Sequence, residues 1–145
     1  MASPINLYEY EDRASAQLPK MVYDYYAGGA RDEITLRDND RAYDRLALRY
    51  HVMRDIRDRT TATTIGGHSL DLPVLLAPTA FHKMASEQGE IDTVRAAGVA
   101  GTAMILSTLS TTSLEDVVAA ADGPVWFQLY VYADRDATRD LVRRA

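Results

Sequence analysis

The stretch "WFQLYVY", residues 126–132, decides how the chain is read. A run this apolar and aromatic predicts a buried strand, yet a glutamine sits inside it. Side chains alternate faces along a strand. Trp126, Gln128, Tyr130 and Tyr132 therefore share one face, and Phe127, Leu129 and Val131 share the other. One face is wholly apolar. The opposite face carries an amide and two phenols in a segment too apolar for a surface strand. Buried polar groups need partners. Those partners are either other side chains in a polar core layer or a ligand.

Working outward, the residues on either side of this strand repeat its context. "PVLLAP" predicts a short strand, followed by a loop and the helix "EQGEIDTVRAAGVAG". "AMILS" predicts a second strand, and Thr112 with Glu115 forms a capping box for the helix "SLEDVVAAA". "PVWFQLYVY" is the third strand, and "DRDATRDLVRRA" begins a third helix. Strand, loop and helix recur at intervals of about 25–30 residues, the pattern of βαβ units and a parallel sheet. Polar residues fall at the same place in each unit: Pro78-Thr79-Ala80 after the first strand, Ser107-Thr108 at the end of the second, Gln128 and Tyr130 toward the end of the third. Parallel α/β folds bind ligands at the carboxyl ends of their strands. One strand alone would favour the polar core layer; three in agreement favour a shared ligand.

The first half reads differently. Residues 1–72 form a helical segment with a hairpin, and 73–145 form the βα units. Asn6 with Glu9 resembles a capping box, and Leu7, Tyr10, Ala14 and Leu18 follow a helical stripe that Pro19 ends. Lys20 to Tyr26 is a second helix closed by Gly28-Gly29, a helix terminator rather than a phosphate loop. "TLRDNDRAYDRLAL" allows a third helix, and "TTATTIGGHSLDLP" reads as a hairpin about Gly66-Gly67.

Bulk properties narrow the function. The chain has 145 residues, 47% of them apolar, no cysteine and a formal charge of −5. Disulfides, thiolate metal sites and cysteine nucleophiles are excluded. The acidic balance argues against nucleic acid as a partner. No apolar run approaches the ~20 residues of a membrane helix, and the acidic start is not a signal peptide. A cytoplasmic protein is the expectation. His51, His68 and His82 lack metal-site spacing, so no metal is expected. His82 follows the first strand and could approach its ligand end. The run "DRDATRDLVRR" is a solvated helix face.

Several motifs together carry a family resemblance. "LPKMVYDYYAGGARDEITLRDN", "LLAPTAFHKMA", "GEIDTVRAAGVAGTAMILSTLSTTSLEDV" and "WFQLYVYADRDATRDLVRRA" closely resemble the FMN-dependent L-2-hydroxy acid oxidases and dehydrogenases. Glycolate, lactate and mandelate oxidases belong to that family. The resemblance runs from about Leu7 to Ala145. It implies an α/β (β/α)8 TIM barrel holding FMN at its C-terminal mouth. It implies cofactor contacts from Pro78, Thr79 and Ala80 beside the isoalloxazine, and from Ser107 and Gln128 along its pyrimidine edge. Tyr130 matches the catalytic tyrosine at the substrate hydroxyl and the flavin. Tyr25, the second tyrosine of "YDYY", matches the one that binds the substrate carboxylate. Without the resemblance, Tyr23, Tyr25 and Tyr26 read as packing aromatics. Leu109 stands at a substrate-pocket position where glycolate oxidase has tryptophan, which leaves room for a larger side chain. His82 replaces a glutamine frequent in relatives, and Ala80 is common among the oxidases.

The resemblance also implies what lies elsewhere. Three βα units are legible, against the eight of a full barrel. In the family the histidine base, two substrate arginines, a lysine near the flavin and the phosphate loops come from the second half. No histidine here matches that base, and Arg143 and Arg144 do not match those arginines. The sequence thus reads as the N-terminal part of the enzyme: a nicked product, a split protein or an incompletely described chain. A companion polypeptide with the remaining strands is expected, as is a homo-oligomer, a tetramer, when complete. Alone, residues 1–145 are expected neither to hold FMN tightly nor to turn over. The implied reaction oxidises a small 2-hydroxy acid to a 2-oxo acid, with oxygen reoxidising the flavin. A dehydrogenase using a quinone or cytochrome, or a non-catalytic half-barrel binding module, is the alternative.

Overall fold

The computed structural model describes residues 3–145. Its contacts divide the chain into two units, Met1–Ile56 and Arg57–Ala145. The hairpin falls in the second unit with the βα elements, although its sequence had grouped it with the N-terminal helices. The reason is local. The Thr61 hydroxyl donates to the Asp71 carbonyl at 2.7 Å, and the Asp71 amide donates to the Gly101 carbonyl at 2.8 Å, tying the hairpin to the chain entering the next strand.

The first unit holds helices α1 (Leu7–Gln17), α2 (Lys20–Ala27) and α3 (Ile34–Asp44). The Asn6 side chain caps α1, accepting from the Glu9 amide at 3.0 Å. The reciprocal bond goes to the Ile5 amide at 3.2 Å, one residue outside the usual box. Gly28 does end α2, but in extended backbone (φ −78°) rather than the left-handed cap expected of it. Glycine suits the position for another reason: a Cβ there would lie 2.8 Å from the Asp24 carbonyl oxygen. The third helix begins at Ile34 and stops at Asp44, short of the expected Leu48. Between α1 and α2 the Tyr23 hydroxyl donates to Glu11 at 3.2 Å.

The second unit opens with an antiparallel hairpin, β1 (Thr63–Ile65) and β2 (His68–Leu70). Gly66 and Gly67 have φ of +58° and +85°, the two positive values that a two-residue hairpin turn needs. Gly66 is doubly constrained, because a Cβ on it would lie 2.7 Å from the Trp126 ring. The expected first strand, "PVLLAP", is reduced to one parallel bridge between Leu76 and Met104. Its two hydrogen bonds run from Leu76 N to Ala103 O (3.1 Å) and from Ile105 N to Leu76 O (3.0 Å). Pro73 and Pro78 have no N–H to extend the ladder, and the Val74 carbonyl is taken by the Thr102 hydroxyl.

Helix α4 (Glu90–Val99) follows, starting at Glu90 rather than Glu87, and leads to β3 (Met104–Ser107). Helix α5 (Leu114–Ala119) crosses to β4 (Val125–Gln128), which pairs parallel with β3, and α6 (Arg135–Arg144) comes after. Asp134 caps α6 with two backbone bonds. The α5 cap is Ser113 paired with Asp116, not Thr112 with Glu115.

Alternation in β3 and β4 sorts the two faces. Met104 and Leu106 are buried and pack with Val94, Ala97 and Val117 from α4 and α5, while Val125 and Phe127 press on the same cluster. Burying aliphatic side chains of this size stabilises a fold by roughly 1.5–3 kcal/mol each. Ile105, Ser107, Trp126 and Gln128 face the other way, in register as Ile105 opposite Trp126 and Ser107 opposite Gln128. The strand ends at Gln128, so strand alternation does not govern Tyr130 and Tyr132. No helix among the described residues is long and apolar enough to cross a membrane.

Candidate functional site

The polar groups on the inner face gather at the carboxyl ends of β3 and β4. Ser107 is buried, at 4% exposure, and its hydroxyl points toward the Gln128 carboxamide oxygen at 3.5 Å. The same hydroxyl oxygen accepts the Leu109 amide at 3.1 Å, which turns the chain sharply out of β3. Gln128 is half-buried. Among the described residues nothing accepts from its amide nitrogen.

Thr108 joins the two strand ends. Its amide donates to the Gln128 carbonyl at 3.0 Å and its hydroxyl donates to the same oxygen. That hydroxyl then accepts the Tyr130 amide at 3.0 Å. This side-chain bond replaces the next rung of the ladder, which is why β4 stops where it does. Tyr130 is left 54% exposed with its backbone fixed. The sequence marked Thr108 as the strand end but gave no sign that it would fasten Tyr130.

The loop after Leu76 reaches the same end. Pro78 and Thr79 are exposed and Ala80 is half-buried. Phe81 adopts φ +57°, a left-handed conformation that costs a bulky residue about 1–3 kcal/mol and persists only where its surroundings impose it. Its amide donates to the Leu109 carbonyl at 3.0 Å, so the first loop is tied to the second. Leu109 is 36% exposed. The structure therefore brings Ala80, Ser107, Leu109, Gln128 and Tyr130 to adjoining loops at one end of the sheet. Tyr25 belongs to α2 in the first unit, half exposed, with its ring 5.2 Å from Tyr26 in an edge-on arrangement.

Behind these loops lies a buried carboxylate that sequence patterning did not single out. Glu90 is fully buried at the start of α4. It accepts from the Thr111 amide at 2.7 Å, from the Thr111 hydroxyl at 2.7 and 3.0 Å, from the Thr112 hydroxyl at 2.8 Å, and from the His82 amide at 3.3 Å. Burial pushes its pKa up, but the Thr111 and Thr112 hydrogen bonds outweigh that and hold it at about 2, below the ordinary 4.5. His82, the one histidine placed near this end by its sequence position, uses Nδ1 on Thr93 Oγ1 at 3.0 Å. Its Nε2 is buried without a partner among the described residues. The imidazole thus packs against α4.

A parallel sheet with polar side chains collected beyond its strand ends belongs to the α/β class that binds ligands there. The chain belongs to the FMN-dependent dehydrogenase family, whose sequence profile matches residues 14–145. It is 49% identical over 140 residues to glycolate oxidase 3 of Oryza sativa subsp. indica, covering 97% of this chain and 38% of that protein. It is 48% identical over 149 residues to the L-lactate oxidase of Nostoc sp., covering 100% of this chain and 41% of that protein. Among solved structures, mandelate oxidase with 3,3-difluoro-2-hydroxy-3-phenylpropionic acid superposes with a TM-score of 0.92 at 37% identity, covering 98% of this chain and 43% of that one. A Pediococcus acidilactici lactate oxidase gives 0.93 at 34% identity, covering 99% and 40%. The fold is accordingly that of the first βα units of a (β/α)8 barrel, and the chain spans about two-fifths of the length of these relatives.

Proposed function

We propose that residues 1–145 supply the flavin-reading part of an FMN-dependent L-2-hydroxy acid oxidase. The observation that carries the reading is the Ser107–Gln128 pair: a buried hydroxyl and a half-buried carboxamide, in register on neighbouring strand ends, on the face turned away from the core. An amide offers a donor and an acceptor together, and a hydroxyl offers both on one atom. That set fits the alternating donors and acceptors on the pyrimidine edge of a flavin, and the unused N–H groups of the Gln128 carboxamide leave it able to donate there. Ala80 and its neighbours Pro78 and Thr79 form the loop beside the ring. Tyr130 stands past the strand end, where a phenol can donate to the substrate hydroxyl oxygen as negative charge develops on it. Leu109 lines the substrate side, and its size admits a substrate bulkier than glycolate. The family resemblance alone assigns Tyr25 to the substrate carboxylate.

When bound, FMN would supply the redox chemistry for oxidation of the substrate C2, with oxygen as the final electron acceptor. The protein's part is positioning and electrostatics. The base that takes the hydroxyl proton, the carboxylate-binding arginines and the phosphate site come from polypeptide beyond these residues, which also completes the barrel. The glycolate, lactate and mandelate oxidases among the relatives support the substrate class.

The test is Tyr130→Phe in the complete flavoprotein, mixed rapidly with a panel of 2-hydroxy acids. The expected result is full FMN content with flavin reduction slowed by ten-fold or more. Reduction at the wild-type rate would remove Tyr130 from the reaction.

A further inference from the structure

We infer that Glu90 is a positioning residue: its ionised carboxylate holds the Pro78–His82 loop and the Thr108–Thr112 loop in the relative arrangement that presents the flavin face. The inference rests on the flavin reading of these loops given above.

The geometry is what points to it. An ionised carboxylate buried without a cation is costly unless hydrogen bonds satisfy it. None of the ion pairs among the described residues includes Glu90. Its satisfaction comes from the two loops, through the His82 amide on one side and Thr111 and Thr112 on the other. Position adds to this, because Glu90 opens α4, where the helix dipole favours negative charge. The charge therefore favours one arrangement of both loops together. Movement of the Thr108–Thr112 loop would strip four hydrogen bonds from the carboxylate, and movement of the Pro78–His82 loop would remove the His82 amide.

Two further contacts make the link mutual. The Thr111 hydroxyl oxygen accepts the Lys83 amide at 3.2 Å while donating to Glu90. The strained Phe81 backbone sits between the Leu109 carbonyl that accepts its own amide and the Glu90 carboxylate that accepts the next amide. The left-handed turn that sends the chain from Ala80 into the 3₁₀ turn His82–Met84 is thus imposed from both sides. Gly89 next to it is also needed in kind: with φ +58°, a Cβ there would lie 2.7 Å from the Lys83 side chain.

The experiment compares wild type, Glu90→Gln, Glu90→Asp and Thr112→Val in the complete flavoprotein. Three quantities are read: FMN content with its visible circular dichroism, the flavin reduction rate at saturating substrate, and amide hydrogen exchange. The expected result for Glu90→Gln is faster exchange confined to residues 79–84 and 108–112, a changed flavin dichroism band, and reduction slowed by ten-fold or more with KM little altered. Thr112→Val, which keeps the charge, should shift all three in the same direction by less, and Glu90→Asp should recover part of the loss. If Glu90→Gln does not fold, Thr112→Val decides. Uniform exchange changes across the protein with unaltered dichroism and reduction rate would overturn the positioning role. A wild-type protein that holds no flavin would overturn the functional reading itself, and the inference with it.

Discussion

The two units of this chain hold themselves together in different ways. In Arg57–Ala145 a buried cluster joins α4, β3 and α5 through Val94, Ala97, Met104, Leu106 and Val117. In Met1–Ile56 Val22 is the one buried apolar side chain among the described residues. The first unit relies on short-range contacts instead: the Asn6 cap, the Lys20–Asp24 pair at 2.6 Å and the Arg45–Asp38 pair at 3.0 Å, all exposed. Exposed ion pairs contribute about 0–1 kcal/mol each. The lesson is that a core built on both helices and strands fixes where the strand ends fall, and the candidate site is assembled from those ends.

The largest expected effect is at the centre of the core. Leu106→Ala should lower the opening free energy of the β3 and β4 amides by about 2–5 kcal/mol, read by native-state hydrogen exchange. The matched change in the first unit, Leu7→Ala at an 83% exposed site, should stay within about 0.5 kcal/mol. Equal losses would erase the contrast.

Acid should sharpen it next. Folding lowers the Glu90 pKa from the ordinary 4.5 to about 2, so its stabilisation is complete above the ordinary value and is lost as pH falls toward about 2. Between ~pH 5 and ~pH 3 the second unit should lose more stability in wild type than in Glu90→Gln. The Arg144 hydrogen bond also lowers the Glu115 pKa to about 2, but that pair is exposed and added salt should blunt its share. Acid unfolding curves that run parallel in wild type and Glu90→Gln would contradict the assignment. The smallest effect belongs to the first unit. Asn6→Ala should cost α1 about 1 kcal/mol, seen as faster exchange at the Glu9 amide and little change elsewhere.

Much of the second unit was legible because it depends on periodicity. Alternation through Trp126, Phe127 and Gln128 sorted the core face from the polar face, and Gly66-Gly67 announced the hairpin. What was not legible depended on which of several hydrogen bonds prevailed. Thr112-x-x-Glu115 and Ser113-x-x-Asp116 both fit a capping pattern. The second forms because Glu90, distant in sequence, takes the Thr112 hydroxyl. Likewise, nothing local said that the Thr108 hydroxyl would capture the Tyr130 amide and end β4. Glu90 itself carried no local signal, since its partners lie 8, 21 and 22 residues away.

The Ser107–Gln128 strand-end pair is tested most directly by the FMN affinity of the complete protein carrying Gln128→Leu. That substitution removes the amide while keeping a side chain of similar size on β4. A lost hydrogen bond to a buried polar ligand edge costs about 1–3 kcal/mol, so the predicted result is a rise in the FMN dissociation constant of roughly five- to 150-fold, with hydrogen exchange across β3 and β4 nearly unchanged. An unchanged dissociation constant in a folded Gln128→Leu protein would contradict the claim that these strand ends read the flavin.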